Sequence, residues 1–341
     1  MSDEIYLVRS ETLLGFDDLI RDLGADPKPF YKQVGLTASL LEDPDHLIPY
    51  ASVCLLLDIA AKQLGQENLG LMLGGRQKRF QIGVLWPLIA HCPDVETALK
   101  TVIEHYHLHN QGLAWQFGVE GDKAFIVRED RIAGDIPTFQ YAVHGLCSCF
   151  RVLQMLCGKD WRPLEVSFIH APPAYQQEYH RFFSVKVKFN NELSRIVFPA
   201  SYLSKEVSVR NSGLYGQLKR QVQDMEAMYD SEHDFQLKVR RLIHQRIHLA
   251  TCTQAVIAKQ LSMHPKALQR ALNQCGVTFR ELRAAVRLDI AERYLKDSDI
   301  PLTSIAEILG FSDLSSFSHV FKIRHQVSPA TWRSRAKSKD V

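Results

Sequence analysis

Two stretches near the C-terminal end decide how this chain is read: Ile257-Ala258-Lys259-Gln260-Leu261 and Ile305-Ala306-Glu307-Ile308-Leu309. Both carry Ile-Ala-x-x-Leu, at an offset of 48 residues. The likeness continues: Leu268 and Leu272 follow the first copy, and Phe317 and Phe321 follow the second at an offset of 49. Five apolar positions therefore recur, with one extra residue in the second turn. A small alanine lets two short helices cross closely, and the flanking Ile and Leu fill the crossing. Short turns at Ser262-Met263 and Gly310-Phe311 set the angle, which predicts two helix-turn-helix units. Gly310 supplies the left-handed conformation that such a turn often needs.

The second helix of each unit is the expected reader of a nucleic acid. In the first unit, Pro265 occupies an early helical position that it favours. Ala267, Leu268, Ala271 and Leu272 form one face, which leaves Lys266, Gln269, Arg270 and Asn273 on the other. Arg suits guanine, and Gln or Asn suits adenine, in the major groove. In the second unit Phe317, Val320 and Phe321 point inward, and Ser315, Ser316, Ser318, His319 and Lys322 remain outside. One such polar face is ordinary solvated surface; two in register point to double-stranded DNA. Between the units, Thr278-Phe279-Arg280-Glu281 reads as a capping box that starts a helix running to about Lys296. A helix of ~19 residues is a rod of ~28 Å. Successive major grooves on one face of B-DNA lie ~34 Å apart, so a reading helix near each end of the rod would meet adjacent grooves.

Charge agrees with this placement. From Phe235 onward there are 18 basic and 8 acidic residues, a net of +10, while the remainder holds 23 basic and 30 acidic residues, a net of −7. A basic end on an acidic body expects a polyanion at that end alone. The 341 residues, 46% hydrophobic and 23% charged, suffice for two cored domains. No apolar run reaches the ~18 residues of a membrane span. The start, MSDEIYLVRSETLLG, lacks the basic-then-apolar layout of a signal peptide. The expected location is therefore cytoplasmic, associated with the bacterial nucleoid. Seven scattered cysteines fit buried, reduced thiols.

The first domain, 1–203, reads as α+β with a small, mainly antiparallel sheet. Thr12–Gly24, Pro49–Gly65 and Asp94–His109 show helical spacing, with Asp94 as N-cap. Ala114–Val119 and Ala124–Arg128 flank Glu120-Gly121-Asp122 as a hairpin. Phe139–Cys157 is a strongly apolar helix closed by Gly158. Leu164–Ile169, Val185–Phe189 and Arg195–Phe198 read as strands, and Ala174–Phe183 as a helix between the first two. Residues 204–234 read as a connector, with a helix near Leu214–Met228. The 235–341 domain is all helical, with seven helices expected. In the apolar helix, His144 and Arg151 stand seven residues apart on one face. They are the expected polar anchors of an effector chamber walled by Trp86, Tyr106 and Trp115, with a carboxylate-bearing ligand if Arg151 is the anchor. The alternative is that this helix is plain core and that both side chains find internal partners.

Two stretches, IAKQLSMHPKALQRALNQCGVTFRELRAAVRLDIAERYL and IAEILGFSDLSSFSHVFKIRHQVSPATWR, make the C-terminal part resemble the AraC/XylS family of bacterial regulators. The resemblance implies a sequence-specific transcription regulator, with activation as its output and repression as the alternative. It implies base contacts by Lys266, Gln269 and Arg270 in the first unit and by Ser315, Ser316 and His319 in the second. Ser312 and Lys322 would lie nearer phosphate, as would Asn273. It further implies a small-molecule effector, a homodimer formed through the N-terminal domain, and RNA polymerase as partner. His319 stands where arginine is common, which implies weaker or pH-sensitive readout by the second unit. Gln326 stands where glycine is usual, so a strained or altered turn is expected there. Residues 12–203 resemble the effector domain of the branch containing the ornithine-utilisation and mycobacterial virulence regulators, through WRPLEVSFIHAPPAYQQEYHRFFSVKVKFNNELSRIVFPASYL. That domain is often labelled arabinose-binding, but the strand pattern does not support a sugar-binding jelly roll.

Other constellations carry little. His105, His107 and His109 alternate, yet only His105 and His109 align on a helix, and no acid or thiol nearby completes a metal site. Cys147-x-Cys149 lacks the two-residue gap of common zinc or redox motifs. The sequence has no glycine-rich phosphate loop and no G-x-S-x-G elbow. No enzyme activity, cofactor or metal is expected. A protein-binding adaptor without an effector of its own is the alternative from a different class.

Overall fold

A computed structural model describes residues 6–77, 82–132, 136–158, 160–207, 211–232, 235–244, 246–247, 252–261 and 263–338. In chain order the N-terminal part holds β1 (Leu7–Arg9), α1 (Phe16–Asp22), α2 (Lys28–Gln33), β2 (Leu47–Pro49), α3 (Tyr50–Gln63), α4 (Leu69–Arg76), α5 (Leu85–Ala90) and α6 (Val95–His105). There follow β3 (Leu113–Glu120), β4 (Lys123–Asp130), α7 (Phe139–Cys157), β5 (Glu165–Ser167), α8 (Gln176–Phe183), β6 (Val187–Lys188), β7 (Ser194–Pro199) and α9 (Ser212–Glu232). The C-terminal part is α10 (Phe235–His244), α11 (Gln254–Gln260), α12 (Pro265–Gln274), α13 (Phe279–Asp297), α14 (Leu302–Ile308), α15 (Leu314–His325) and α16 (Pro329–Ser338).

Five strands form one sheet in the order β3-β4-β7-β5-β6, antiparallel except for the parallel pair β5 and β6. The β3–β4 hairpin, at one edge of the sheet, pairs Glu120 with Lys123, so its loop is only Gly121-Asp122, with Gly121 at φ 59°. The expected helix from Thr12 to Gly24 is interrupted: Gly15, at φ 85°, separates a 3-10 turn, Ser10–Leu13, from α1. The short helices α2, α4 and α5, of six, eight and six residues, were not legible, because a helical period shows only over a longer run. Asp94 caps α6 as expected, its carboxylate accepting from the Thr97 N–H at 2.7 Å. Helix α7 has the expected bounds and ends on Gly158 at φ 91°.

The helix expected near Leu214–Met228 in the connecting segment is α9, and it lies on the N-terminal domain. Val222 is buried in that core, with Tyr215, Leu218 and Met225 packed against it. Glu226 faces His105 and His107, at 3.0 and 3.5 Å. The polar composition of the segment hid a single apolar stripe.

The two domains also meet. Alternate residues of a strand face opposite sides, and the hairpin uses both. Trp115, Ile126 and Arg128 face the helices of the N-terminal domain, and Gln116 and Glu129 face the C-terminal domain. There Gln116 donates to the His244 carbonyl at 3.1 Å, and Glu129 lies 3.4 Å from His244 and 3.6 Å from Arg293. Ile169 and Leu193 pack against the C-terminal core from the same side.

Candidate DNA-binding and effector sites

The C-terminal domain builds its two units from the repeated positions. Ile257, Ala258, Leu268 and Leu272 are buried in the first, and Ile305, Ala306, Leu309, Phe317 and Phe321 in the second. Leu261 is only partly buried, unlike its counterpart Leu309. The turn of the second unit passes through Gly310 at φ 68°, whose carbonyl accepts from Arg287 of α13 at 3.0 Å. Helix α13 has 19 residues, and its capping box is complete. The Thr278 hydroxyl accepts from the Glu281 N–H at 3.2 Å, and Glu281 accepts from the Thr278 N–H at 2.8 Å. Asp289, buried on α13, pairs with Arg240 of α10 and with Arg324 of α15, the latter at 2.9 Å. One carboxylate thus joins the rod to a helix on either side.

The candidate reading helices are α12 and α15. Lys266, Gln269, Arg270 and Asn273 are all exposed on α12, whose N-cap is His264: its Nδ1 accepts from the Lys266 N–H at 3.3 Å. On α15, Ser315, His319 and Lys322 are exposed, as is Ser312 just before the helix. Ser316 is half-buried and already engaged. Asp313, the N-cap, accepts from the Ser316 N–H at 2.7 Å and from the hydroxyls of Ser312 and Ser316 at 2.9 and 3.1 Å. These donors hold the Asp313 carboxyl below its ordinary pKa. Sequence reasoning missed this cap, although Asp three residues before Ser316 is a signal of one. At the far end of α15, Gln326 takes the left-handed conformation, φ 59°, that glycine would take without cost. Its side-chain amide compensates by donating to the Ile323 carbonyl at 3.0 Å. The strain expected at this turn is present in that form.

The positive charge of this domain is partly committed to its interior. Arg240 and Arg324 pair with Asp289, and Arg293 lies against Glu129. Arg283, Arg287 and Arg333 donate to the carbonyls of Cys252, Gly310 and Ile300.

In the N-terminal domain a cavity lies between α6, α7 and the β3–β4 hairpin. Its volume is about 50 Å3. Tyr106 and Trp115 line it, in edge-to-face contact at 6.1 Å. Gly145, Ser148, Cys149 and Val152, at helical spacing, are the face that α7 turns toward it. Burial raises the Tyr106 phenol and the Cys149 thiol to about 12, so both stay protonated.

His144 and Arg151 do share a face of α7, but it packs on α4 and not on the cavity. His144 Nε2 is 2.8 Å from Gln77 Oε1, and its ring stacks on Tyr141. Burial lowers its pKa to about 3, leaving it neutral. Arg151 donates to the Gly75 carbonyl at 2.7 Å and lies over the Phe182 ring. The helices approach so closely that a Cβ at Gly74 would stand 2.6 Å from Cys147 Cβ. The expected polar anchors thus find partners at α4, with His144 buried and Arg151 half-buried. Trp86 lies half-buried on α5 and is not among the residues lining the cavity. The third histidine of the alternating set, His109, faces Glu11 at 3.1 Å.

Comparison with known proteins agrees with this architecture. Residues 24–207 match the arabinose-binding domain of AraC transcription regulators, and residues 257–335 match a helix-turn-helix domain. The chain belongs to the AraC family of transcription regulators. It is similar to the ornithine utilization regulator of Pseudomonas aeruginosa, with 24% identity over 89% of this chain and 90% of that one. It is also similar to the transcriptional regulator VirS of Mycobacterium tuberculosis, with 25% identity over 96% of each chain. Among solved structures, the regulator CdpR of Pseudomonas aeruginosa aligns over 92% of this chain and 97% of its own, at 17% identity and a TM-score of 0.41. The protein is a DNA-binding transcription regulator, and its named relatives are regulators, not enzymes. Among the described residues, no helix is long and apolar enough to cross a membrane.

Proposed function

We propose that this regulator is a ligand-responsive activator that reads two adjacent major-groove segments with one chain. Lys266, Gln269 and Arg270 contact bases in the first segment, and Ser315, Ser316 and His319 contact them in the second. Asn273, Ser312 and Lys322 face phosphate. The observation that carries this reading is the single helix α13 with a helix-turn-helix unit on each side, each presenting polar side chains to solvent. The commitment of both Ser312 and Ser316 to Asp313 leaves the second unit the weaker reader. A small-molecule effector acts through the sheet, whose hairpin touches the cavity on one side and His244 and Arg293 on the other. A homodimer formed through the N-terminal domain places RNA polymerase beside the bound DNA, within the bacterial nucleoid.

Selection of bound duplexes from a random library by the full chain tests this. The expected result is two preferred blocks whose centres lie about one helical turn, ~10.5 base pairs, apart. Affinity for the selected site should fall steeply between low and physiological salt as released counterions return to the phosphates. A single block would mean that one unit alone reads sequence, and a flat salt response would remove the phosphate contacts. Transcription from the selected site in a purified system separates activation from repression by the sign of the change.

A further inference from the structure

The cavity between α6, α7 and the hairpin is mostly apolar, with the Ser148 side chain in its wall, and an unpartnered donor stands close behind that wall. Arg128 stands directly opposite Trp115 in the β3–β4 ladder and two residues from Ile126, so all three share one face of the sheet. Trp115 and Ile126 line the cavity. Gly145 lines it too, and a Cβ built there would lie 3.0 Å from Arg128 Nε. Arg128 is not itself among the lining residues, but glycine at this position places no side chain between Nε and that wall of the cavity. Arg128 is only 4% exposed, and its Nε–H has no hydrogen-bond partner. A buried donor left in this way costs free energy until an acceptor reaches it.

The rest of that guanidinium is fully engaged. Its two terminal nitrogens donate to the Asp130 carboxylate at 2.5 and 2.7 Å, and one of them also donates to the Tyr50 hydroxyl at 3.0 Å. Asp130 cancels the charge at close range. A second carboxylate brought to Nε would enter an apolar space beside Asp130 with no unmatched cation to receive it. A neutral acceptor, such as a ketone, ester or lactone carbonyl, meets no such penalty.

We propose that this cavity is the effector site, and that it takes a small, uncharged, largely apolar molecule whose one carbonyl accepts from Arg128 Nε. The proposal rests on the ligand-responsive reading above and specifies its ligand class. The space free in this conformation, about 50 Å3, holds only a few waters. A ligand with a ring must part α7 from the hairpin. The same strands carry Gln116 and Glu129 on their other face, so entry of the ligand moves the contacts to His244 and Arg293.

Three probes of matched shape test the assignment by titration calorimetry on the full chain: 4-phenyl-2-butanone, 3-phenylpropanoate and isopentylbenzene. They carry a carbonyl, a carboxylate and an isopropyl group at the same place. The ketone should bind about tenfold more tightly than either of the others. Val102→Trp, which fills the cavity from α6, and Ser148→Phe, which fills it from α7, should each abolish ketone binding. Binding to the selected duplex without probe should be unchanged in any variant that melts as the wild type does. Equal binding of the carboxylate, undiminished ketone binding in both filled variants, or no binding of any probe would overturn the assignment. Retained duplex binding in those cases would leave the DNA-reading function standing and remove only the site.

Discussion

At the scale of single residues, the recognition face separates side chains by what they offer DNA. Arg270, exposed on α12, has a forked donor that suits a guanine edge, and Lys322, exposed at the end of α15, is a point charge. Arg270→Ala should cost about 1–3 kcal/mol on the selected duplex and relax preference at one base pair. Lys322→Ala should weaken all duplexes about equally and lower the salt slope by about one. Binding arrays that give both variants the same specificity profile would refute the division. Asp313 is the residue that sequence reasoning undervalued. It fixes the start of α15 through Ser316 and holds two hydroxyls that would otherwise be open to DNA.

At the scale of elements, α13 is both a rod and a core. Leu282, Val286, Ile290, Ala291 and Leu295 are buried along it. The rod therefore cannot be treated as an inert spacer, because its side chains fill the space between the units. Its polar attachment is Asp289, which is 1% exposed and bonded to two arginines from different helices. Removing a buried partner leaves uncompensated charge, so Asp289→Ala should cost about 3–5 kcal/mol. Urea unfolding of the full chain measures this. A loss below about 1 kcal/mol would mean that Arg240 and Arg324 are already satisfied by water.

At the scale of the whole molecule, three buried histidines make stability depend on pH. Burial lowers His144, His170 and His244 to about 3 each, and His244 sits in the domain interface against Glu129. Above pH ~6.5 these imidazoles are neutral in both folded and unfolded chains, and they contribute no pH dependence. Below that, the unfolded chain takes up protons that the folded chain excludes, so stability falls as pH drops toward about 3. Each group contributes a slope of up to about 1.4 kcal/mol per pH unit. Melting curves from pH 7.5 to 4.5 should show this loss, and His144→Gln should flatten it. An unchanged melting temperature across that range would mean that the imidazoles are protonated in the folded chain.

Local pattern sufficed wherever a partner lies nearby in the chain. The capping box at Thr278 and Glu281, the Gly121 turn, the Gly158 stop and the doubled Ile-Ala-x-x-Leu all follow from spacing over a few residues. They determined the all-helical reading domain and its exposed polar faces. The N-terminal domain yielded its longer elements in the same way. Its site was not legible, because α7 is apolar nearly all round and its periodicity cannot say which face meets α4 and which meets a cavity. His144 and Arg151 were the conspicuous polar residues, and they are answered by Gln77, just past α4, and by Gly75 within it, about 70 positions away. Arg128 was inconspicuous, since only the ladder that sets it opposite Trp115 brings it to Gly145. The docking of α9, the parallel pairing of β5 with β6, and the contact of Glu129 with His244 and Arg293 likewise depend on chain-distant partners. The sequence by itself determined what kind of molecule this is, because helix periodicity and capping are local. Tertiary packing alone decided where a cavity forms and how the hairpin beside it meets the DNA-binding domain, because an unsatisfied donor and a shared sheet exist only once distant segments have met.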